Sequence, residues 1–134
     1  MIGLAIVASM LAQNPQPPAP DAQAEIERAV HAMTDQLKRW NASIDSSGSL
    51  DTCRTITSSG DPQLDALACQ AMSDCAIKMR SISARLEDPA VPDAEKEKLA
   101  RDSGAQMTTC VADRRSELFR SLAESRIKAA ETAK

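Results

Sequence analysis

The chain has 134 residues, of which 43% are hydrophobic, and a formal net charge of −3. The length allows one domain, and the slightly acidic balance argues against nucleic acid or an anionic membrane surface as a partner. Trp40 and Phe119 are the only aromatic residues, so a core has to be built from aliphatic side chains. That composition favours packed helices over a β-sheet and predicts an all-α fold.

An apolar run opens the chain. Residues 2–12 have the length of the hydrophobic region of a secretory signal and are too short to span a bilayer. Residues 1–12 are therefore predicted to be a signal peptide, although no basic residue precedes the run. Four prolines within residues 13–20 predict an extended linker. The mature chain is expected to be periplasmic or secreted, without stable insertion into a membrane.

A helical domain is predicted over residues 21–134. Its first helix runs from about Asp21 to Ile44, because apolar residues recur there at alternating spacings of four and three. Turn-forming residues at 45–49 end this helix, and residues 50–57 are expected to form a short helix. The apolar face of the first helix consists of Ile26, Val30, Met33, Leu37, Trp40 and Ile44.

Two longer helices are predicted to follow as an antiparallel hairpin. Asp61-Pro62 supplies an N-cap residue and a proline at the first helical position, which predicts a second helix over 62–87. A turn at 88–91 leads to a third helix from Pro92 to about Thr132, with Ser103-Gly104 as the most favourable place for a bend or short break. The predicted fold is a small disulfide-stabilised antiparallel bundle of three main helices and one short helix.

Four cysteines behind an apolar leader predict two disulfides formed in an oxidising compartment. Pairing Cys69 with Cys75 is excluded, because six residues along one helix separate them by about 9 Å. In an antiparallel hairpin, two bonded cysteines have to lie at the same height along the axes. In the set Cys53–Cys69 with Cys75–Cys110, the larger difference in height is about 7 Å. In the set Cys69–Cys110 with Cys53–Cys75, it is about 12 Å. The smaller mismatch favours the first set, and Cys69–Cys110 with Cys53–Cys75 stays the alternative.

No arrangement of residues in the sequence points to catalysis, a cofactor or a metal ion. The cysteine spacings lack the paired short gaps of zinc sites and the C-x-x-C of thiol oxidoreductases. His31 is the only histidine, and the chain has neither a glycine-rich phosphate loop nor a nucleophile motif. The chain is therefore predicted not to be an enzyme and to hold no cofactor.

A second apolar stripe lies on the last third of the third helix. Two apolar faces require two neighbours, either the first helix or another molecule, so this stripe is a candidate surface for a protein partner or for self-association. The expected function is a protein-interaction or structural module of a bacterial envelope, and an exported inhibitor or small-ligand-binding protein is the alternative. An Ala- and Arg-rich composition without Tyr is typical of a GC-rich bacterial genome. The stripe consists of Phe119, Ala123, Ile127 and Ala130.

Overall fold

The computed structural model describes residues 19–45 and 52–133, so the predicted signal peptide and most of the predicted linker lie outside the described residues. Within these ranges the chain is mostly helical, with one two-stranded antiparallel sheet. The elements in chain order are α1 (Pro20–Gln36), a 3-10 turn (Leu37–Arg39), β1 (Asn41–Asp45), β2 (Thr52–Thr57), α2 (Pro62–Lys78), α3 (Arg80–Glu87) and α4 (Asp93–Thr132).

The β-hairpin corrects the all-α prediction. The first helix ends at Gln36, and Trp40 takes an extended backbone (φ −73°, ψ 136°) from which β1 continues. Ile44, predicted on a helix face, lies opposite Cys53 in the sheet. The short helix expected over 50–57 is also wrong, because residues 52–57 form β2. Four of the six residues of β2 are Thr or Ile, whose branched Cβ favours a strand.

The helical hairpin predicted for the rest of the domain is confirmed, with one difference. The side chain of Asp61 caps α2 by accepting hydrogen bonds from the backbone N–H groups of the second and third helical residues, at 3.1 and 3.3 Å. The helix predicted to reach residue 87 is divided at Met79, whose backbone (φ −90°, ψ 0°) separates α2 from α3. α4 is helical throughout, including Ser103-Gly104.

The core lies at one end of the molecule, where α1, the first part of α2 and the last third of α4 meet. In the range 76–118, all of which the structure describes, no side chain is buried. We call α3, the turn at 88–92 and residues 93–109 of α4 the arm. The arm is thus a pair of helices without a buried core of its own. The core cluster consists of Ile26, Met33, Leu37, Leu64, Ala68, Phe119 and Ala123.

Two disulfides join the elements, in the pairing that the spacing favoured. Cys53–Cys69 links β2 to α2 with Cα atoms 5.3 Å apart, and Cys75–Cys110 links α2 to α4 with Cα atoms 5.9 Å apart. Cys75 is fully buried, and none of the residues that follow it is buried before Phe119. The second bond therefore lies where the core ends and the arm begins.

Two ion pairs set the same antiparallel register of α2 and α4. Arg126 lies 2.8 Å from Asp61 at the start of α2, and Arg114 lies 2.9 Å from Asp74 near its end. The separation is thirteen residues on α2 (74 − 61) and twelve on α4 (126 − 114), as expected for two helices of equal rise. In the arm, Arg85 of α3 pairs with Glu95 of α4 at 2.5 Å.

Removal of either disulfide is expected to destabilise the protein, and removal of Cys75–Cys110 more strongly. The bonds span 16 and 35 residues, so loop closure in the unfolded chain corresponds to about 3 kcal/mol for Cys53–Cys69 and about 4 kcal/mol for Cys75–Cys110. Urea unfolding of the two paired Cys→Ser variants measures these losses. A strong reductant should lower the Tm of the wild type, and an unchanged Tm would contradict a structural role for the disulfides.

Candidate functional site

Half of the predicted partner surface on α4 is buried in the core of the same chain. Phe119 and Ala123 are each 1% exposed and belong to the core. Ile127 packs against the same core, and of the four predicted residues Ala130 alone is exposed. α4 contacts α1 as well as α2 and α3, so its second apolar face has a neighbour in its own chain. Phe119 and Ala123 therefore stabilise the fold as part of the core.

The four cysteines brace the fold and offer no reactive thiol. All of them lie in disulfides, and the described part of the chain holds no free cysteine. One bond ties the β-hairpin to α2 through Cys69, and the other ties α2 to α4 through Cys110. A thiolate is the nucleophilic and metal-binding form of cysteine, and none is present here.

An open groove of about 930 Å³ lies between the end of α2 and the middle of α4. We call it the α2/α4 groove. Its floor contains Cys110, from the disulfide to Cys75, and Arg114, whose Nε lies 2.9 Å from Asp74 Oδ2. Nη1 of Arg114 lies 2.9 Å from Glu117 Oε2, and the hydrogen bonds to Asp74 and Glu117 raise the pKa of Arg114. One covalent bond and one shared arginine thus fix the floor.

The rim of the α2/α4 groove carries an exposed isoleucine and two charges without partners. Ile77 is 48% exposed, one of two large hydrophobic residues exposed among the described residues. Lys78 on α2 and Asp113 on α4 line the groove from opposite helices, and neither side chain forms an ion pair or hydrogen bond within residues 19–45 and 52–133. The sequence analysis missed these residues. One feature of the sequence could have indicated this groove: Ile77 lies beside the apolar face of its helix and not on it.

A second groove, of about 580 Å³, lies beside the first along the arm, and Met79 lines both. Ile82 and Met107 line it from α3 and α4, and Ile44 lines it from β1. Gly104 also lines it, and no atom lies within 4 Å of the point where a Cβ would stand, so the groove is wide there. Arg80 and Glu87 also line the groove, so the lining fits a ligand or side chain that is mainly apolar and has a polar edge.

Trp40 anchors the β-hairpin on α4. Its indole N–H donates a hydrogen bond to Thr55 Oγ1 at 3.0 Å, and the guanidinium carbon of Arg115 lies 5.4 Å from the ring centroid. Burial lowers the pKa of Arg115, yet arginine stays charged in proteins, and its buried Nε has no hydrogen-bond partner among the described residues. The cation–π contact offsets part of that desolvation.

A buried carboxylate organises the chain before α2. Asp65 is 8% exposed and accepts hydrogen bonds from Ser58 Oγ, from the Ser59 N–H at 2.9 Å and from Ser59 Oγ at 2.5 Å. Burial raises its pKa, but the hydrogen bonds from the two serines outweigh burial, so the pKa of Asp65 lies below its usual value. Gly60, at φ +96°, makes the turn that allows this arrangement. A carboxylate satisfied in this way is a structural group and not a catalytic acid.

The chain matches no protein-family model, no curated protein and no solved structure. Within the described ranges 19–45 and 52–133, no helix is both long and apolar enough to cross a membrane. In the same ranges, no three His, Cys, Asp or Glu residues group in a way that could hold a metal ion. The candidate site is accordingly defined by the chain's own geometry, as the two grooves that meet at Met79.

Replacing Phe119 with alanine is expected to lower the free energy of unfolding by about 3–5 kcal/mol, because the change removes the largest buried side chain. Ala130→Gln, on the same stripe but exposed, is the control and should change stability by less than about 0.5 kcal/mol, because Gln is a good helix former without charge. Urea unfolding followed by circular dichroism measures both. If Phe119→Ala were as stable as the wild type, the stripe would be a partner surface after all.

Asp65→Asn is expected to destabilise the protein at neutral pH and to flatten its acid dependence. Because the folded pKa is lowered, the carboxylate contributes stability above the unfolded value of 3.8, and this contribution is lost as pH falls through the folded value. The free energy of unfolding at neutral pH should drop by about 1–3 kcal/mol.

Urea titrations across the acid range distinguish this effect from simple loss of packing. The difference between wild type and Asp65→Asn should shrink as pH falls from about 5 to about 2. Asp102→Asn, at an exposed position of α4, should follow the wild type. A difference that stayed constant over this range would exclude the proposed ionisation.

Proposed function

We propose that the protein is an exported, disulfide-braced helical module that binds another protein in a bacterial envelope, and that it binds through the arm. The observation that carries this proposal is the absence of any buried side chain in the described range 76–118, although two helices pack together there. Removing partly exposed apolar side chains from water is favourable, so a partner that covers them gains binding energy. The arm therefore has more to gain from a partner than the core end has.

The arm is already helical in the free chain, and this supports the same proposal. α4 passes from the core into the arm as one helix, and Cys75–Cys110 joins α2 to it at the junction. Arg85 and Glu95 pair across the two helices of the arm. A surface that is already ordered loses less conformational entropy on binding, so more of the contact energy appears as affinity.

Export is supported by the use of all four cysteines. Disulfides persist in oxidising compartments and are rare in the reducing cytosol. The two bonds join β2 to α2 and α2 to α4, so they are part of the folded domain. The apolar run of residues 2–12 is the sequence feature that we propose directs the chain to such a compartment.

Small-ligand binding or inhibition is a second candidate function, favoured by the groove of about 580 Å³. Met79, Met107 and Ile82 line it. Methionine side chains are flexible and polarisable, so they adapt to apolar ligands of different shapes. A volume of this size is within the range of small-molecule sites.

Site-specific photo-crosslinking in the producing cell tests the proposed function. A photoreactive amino acid replaces Ala84, which lines the second groove, or Thr109, which lines the α2/α4 groove, and both positions are exposed. Glu27, exposed on α1, is the control. We expect adducts of discrete mass from the two arm positions and none from Glu27, with the protein in the periplasmic or secreted fraction.

Equal adduct yields at all three positions, or no adduct from the arm, would contradict a binding role for the arm. In the second case, native mass spectrometry of the purified protein shows whether a small molecule is retained. A retained ligand that Met107→Glu abolishes would support the second candidate function instead.

A further inference from the structure

The α2/α4 groove carries opposite charges on its two walls. Arg114 pairs with Asp74 and with Glu117, so these three groups together carry one negative charge. Lys78 on the α2 wall and Asp113 on the α4 wall are then left, and neither has a partner among the described residues. Lys78 and Asp113 cancel each other, so the groove has a net charge of −1 (three acids and two bases) and is polar across its width.

The region between these two charges is uncharged. Ile77 stands beside Lys78 and is 48% exposed, and Ala105 and Thr109 line the α4 side two turns and one turn before Asp113. Ile77 is the largest of these groups, and about half of it is open to solvent. A partner that fits this groove needs an apolar centre, with an anion for one wall and a cation for the other.

A second copy of the groove has these features in the required places. In a two-fold symmetric interface, each contact between residues i and j occurs twice, once in each direction. The two-fold rotation brings Lys78 of one copy to Asp113 of the other, and Asp113 of the first copy to Lys78 of the second. Ile77 of each copy then meets the uncharged part of the opposite groove. A polyanion or polycation would instead meet a like charge on one wall.

We infer that the protein associates with itself through the α2/α4 groove, as a two-fold symmetric dimer held by two Lys78–Asp113 pairs around Ile77. This inference rests on the proposed function, because it names a second copy of the chain as a partner at the base of the arm, where Ala105 and Thr109 line the groove. The lining from Ala105 to Glu117 is about 18 Å long. A contact limited to this stretch of helix buries less area than a standard interface, which buries about 800 Å² per copy. We therefore expect a weak dimer, with a Kd of about 1–100 µM.

Sedimentation velocity of the full purified chain, at concentrations that bracket a Kd of about 1–100 µM, measures the association. Lys78→Glu replaces both ion pairs of the dimer with contacts between two carboxylates, and Asp113→Lys replaces them with contacts between two ammonium groups. Each variant is expected to weaken association at least about tenfold. Added salt should weaken the wild-type dimer, because the pairs lie at an exposed rim.

Mixing the two charge variants provides the decisive measurement. In a mixed dimer, the carboxylate introduced by Lys78→Glu in one copy faces the ammonium group introduced by Asp113→Lys in the other, and the second contact is the native Lys78–Asp113 pair. Both contacts are attractive, so an equimolar mixture should dimerise although neither variant does so alone. This rescue also shows that the single variants are folded.

Matched controls separate the groove from the rest of the surface. Ile77→Glu should abolish association, whereas Ile56→Glu, at the other exposed large hydrophobic residue, should leave it unchanged. Lys98→Glu changes the same charge as Lys78→Glu at an exposed position of α4 that does not line the groove, and it should also leave association unchanged.

Three outcomes overturn the dimer: a wild type that stays monomeric at every concentration, single charge variants that associate like the wild type, and a mixture that stays monomeric. The proposed function is judged separately. If Thr109 forms photo-adducts only with a different protein while the wild type sediments as a monomer, the dimer is wrong and the binding role of the arm stands.

Discussion

The disulfide between Cys75 and Cys110 is the constraint on which the rest of the structure depends. It joins α2 to α4 at the last buried residue of α2, and no side chain in the described residues 76–118 is buried. A covalent bond at this level fixes the register of the two helices, so that Asp74 meets Arg114 and Asp61 meets Arg126. Because α4 does not break at the junction, the same bond also sets the direction in which the arm leaves the core.

The two ends of α4 differ: its C-terminal third lies in the core, and its N-terminal part lies in the arm, where no side chain is buried. At the core end, Phe119 and Ala123 pack on side chains of α1 and α2, and removal of this apolar surface from water supplies most of the driving force for folding. The arm has helix–helix contacts and an exposed ion pair, which contributes little. Local opening is easiest where few apolar groups are buried. The covalent bond at the base limits how far any opening of the arm spreads into the core.

The helical hairpin and the cysteine pairing followed from the sequence because their signals are local. Asp61-Pro62 marks a helix start by its own chemistry, and disulfide geometry restricts which residues are level in a hairpin. The β-hairpin did not follow, because Trp40 and Ile44 continue the helical period of α1 by coincidence. The β-branched residues of β2 were the opposing signal. The α4 stripe was interpreted as a partner surface because periodicity identifies an apolar face but not the element that covers it.

The charged residues along the α2/α4 contact fall into two groups: those that pair within the chain and those that remain available to a partner. Arg114 and Arg126 are each engaged by more than one acceptor, and the planar guanidinium suits such shared contacts. These arginines specify register more than they add stability, since exposed pairs are weak. Lys78 and Asp113 lie beside this network without joining it. An unpaired charge has a partner to gain from association, and here both signs lie at one groove, beside an exposed isoleucine. That is the condition for a surface complementary to itself.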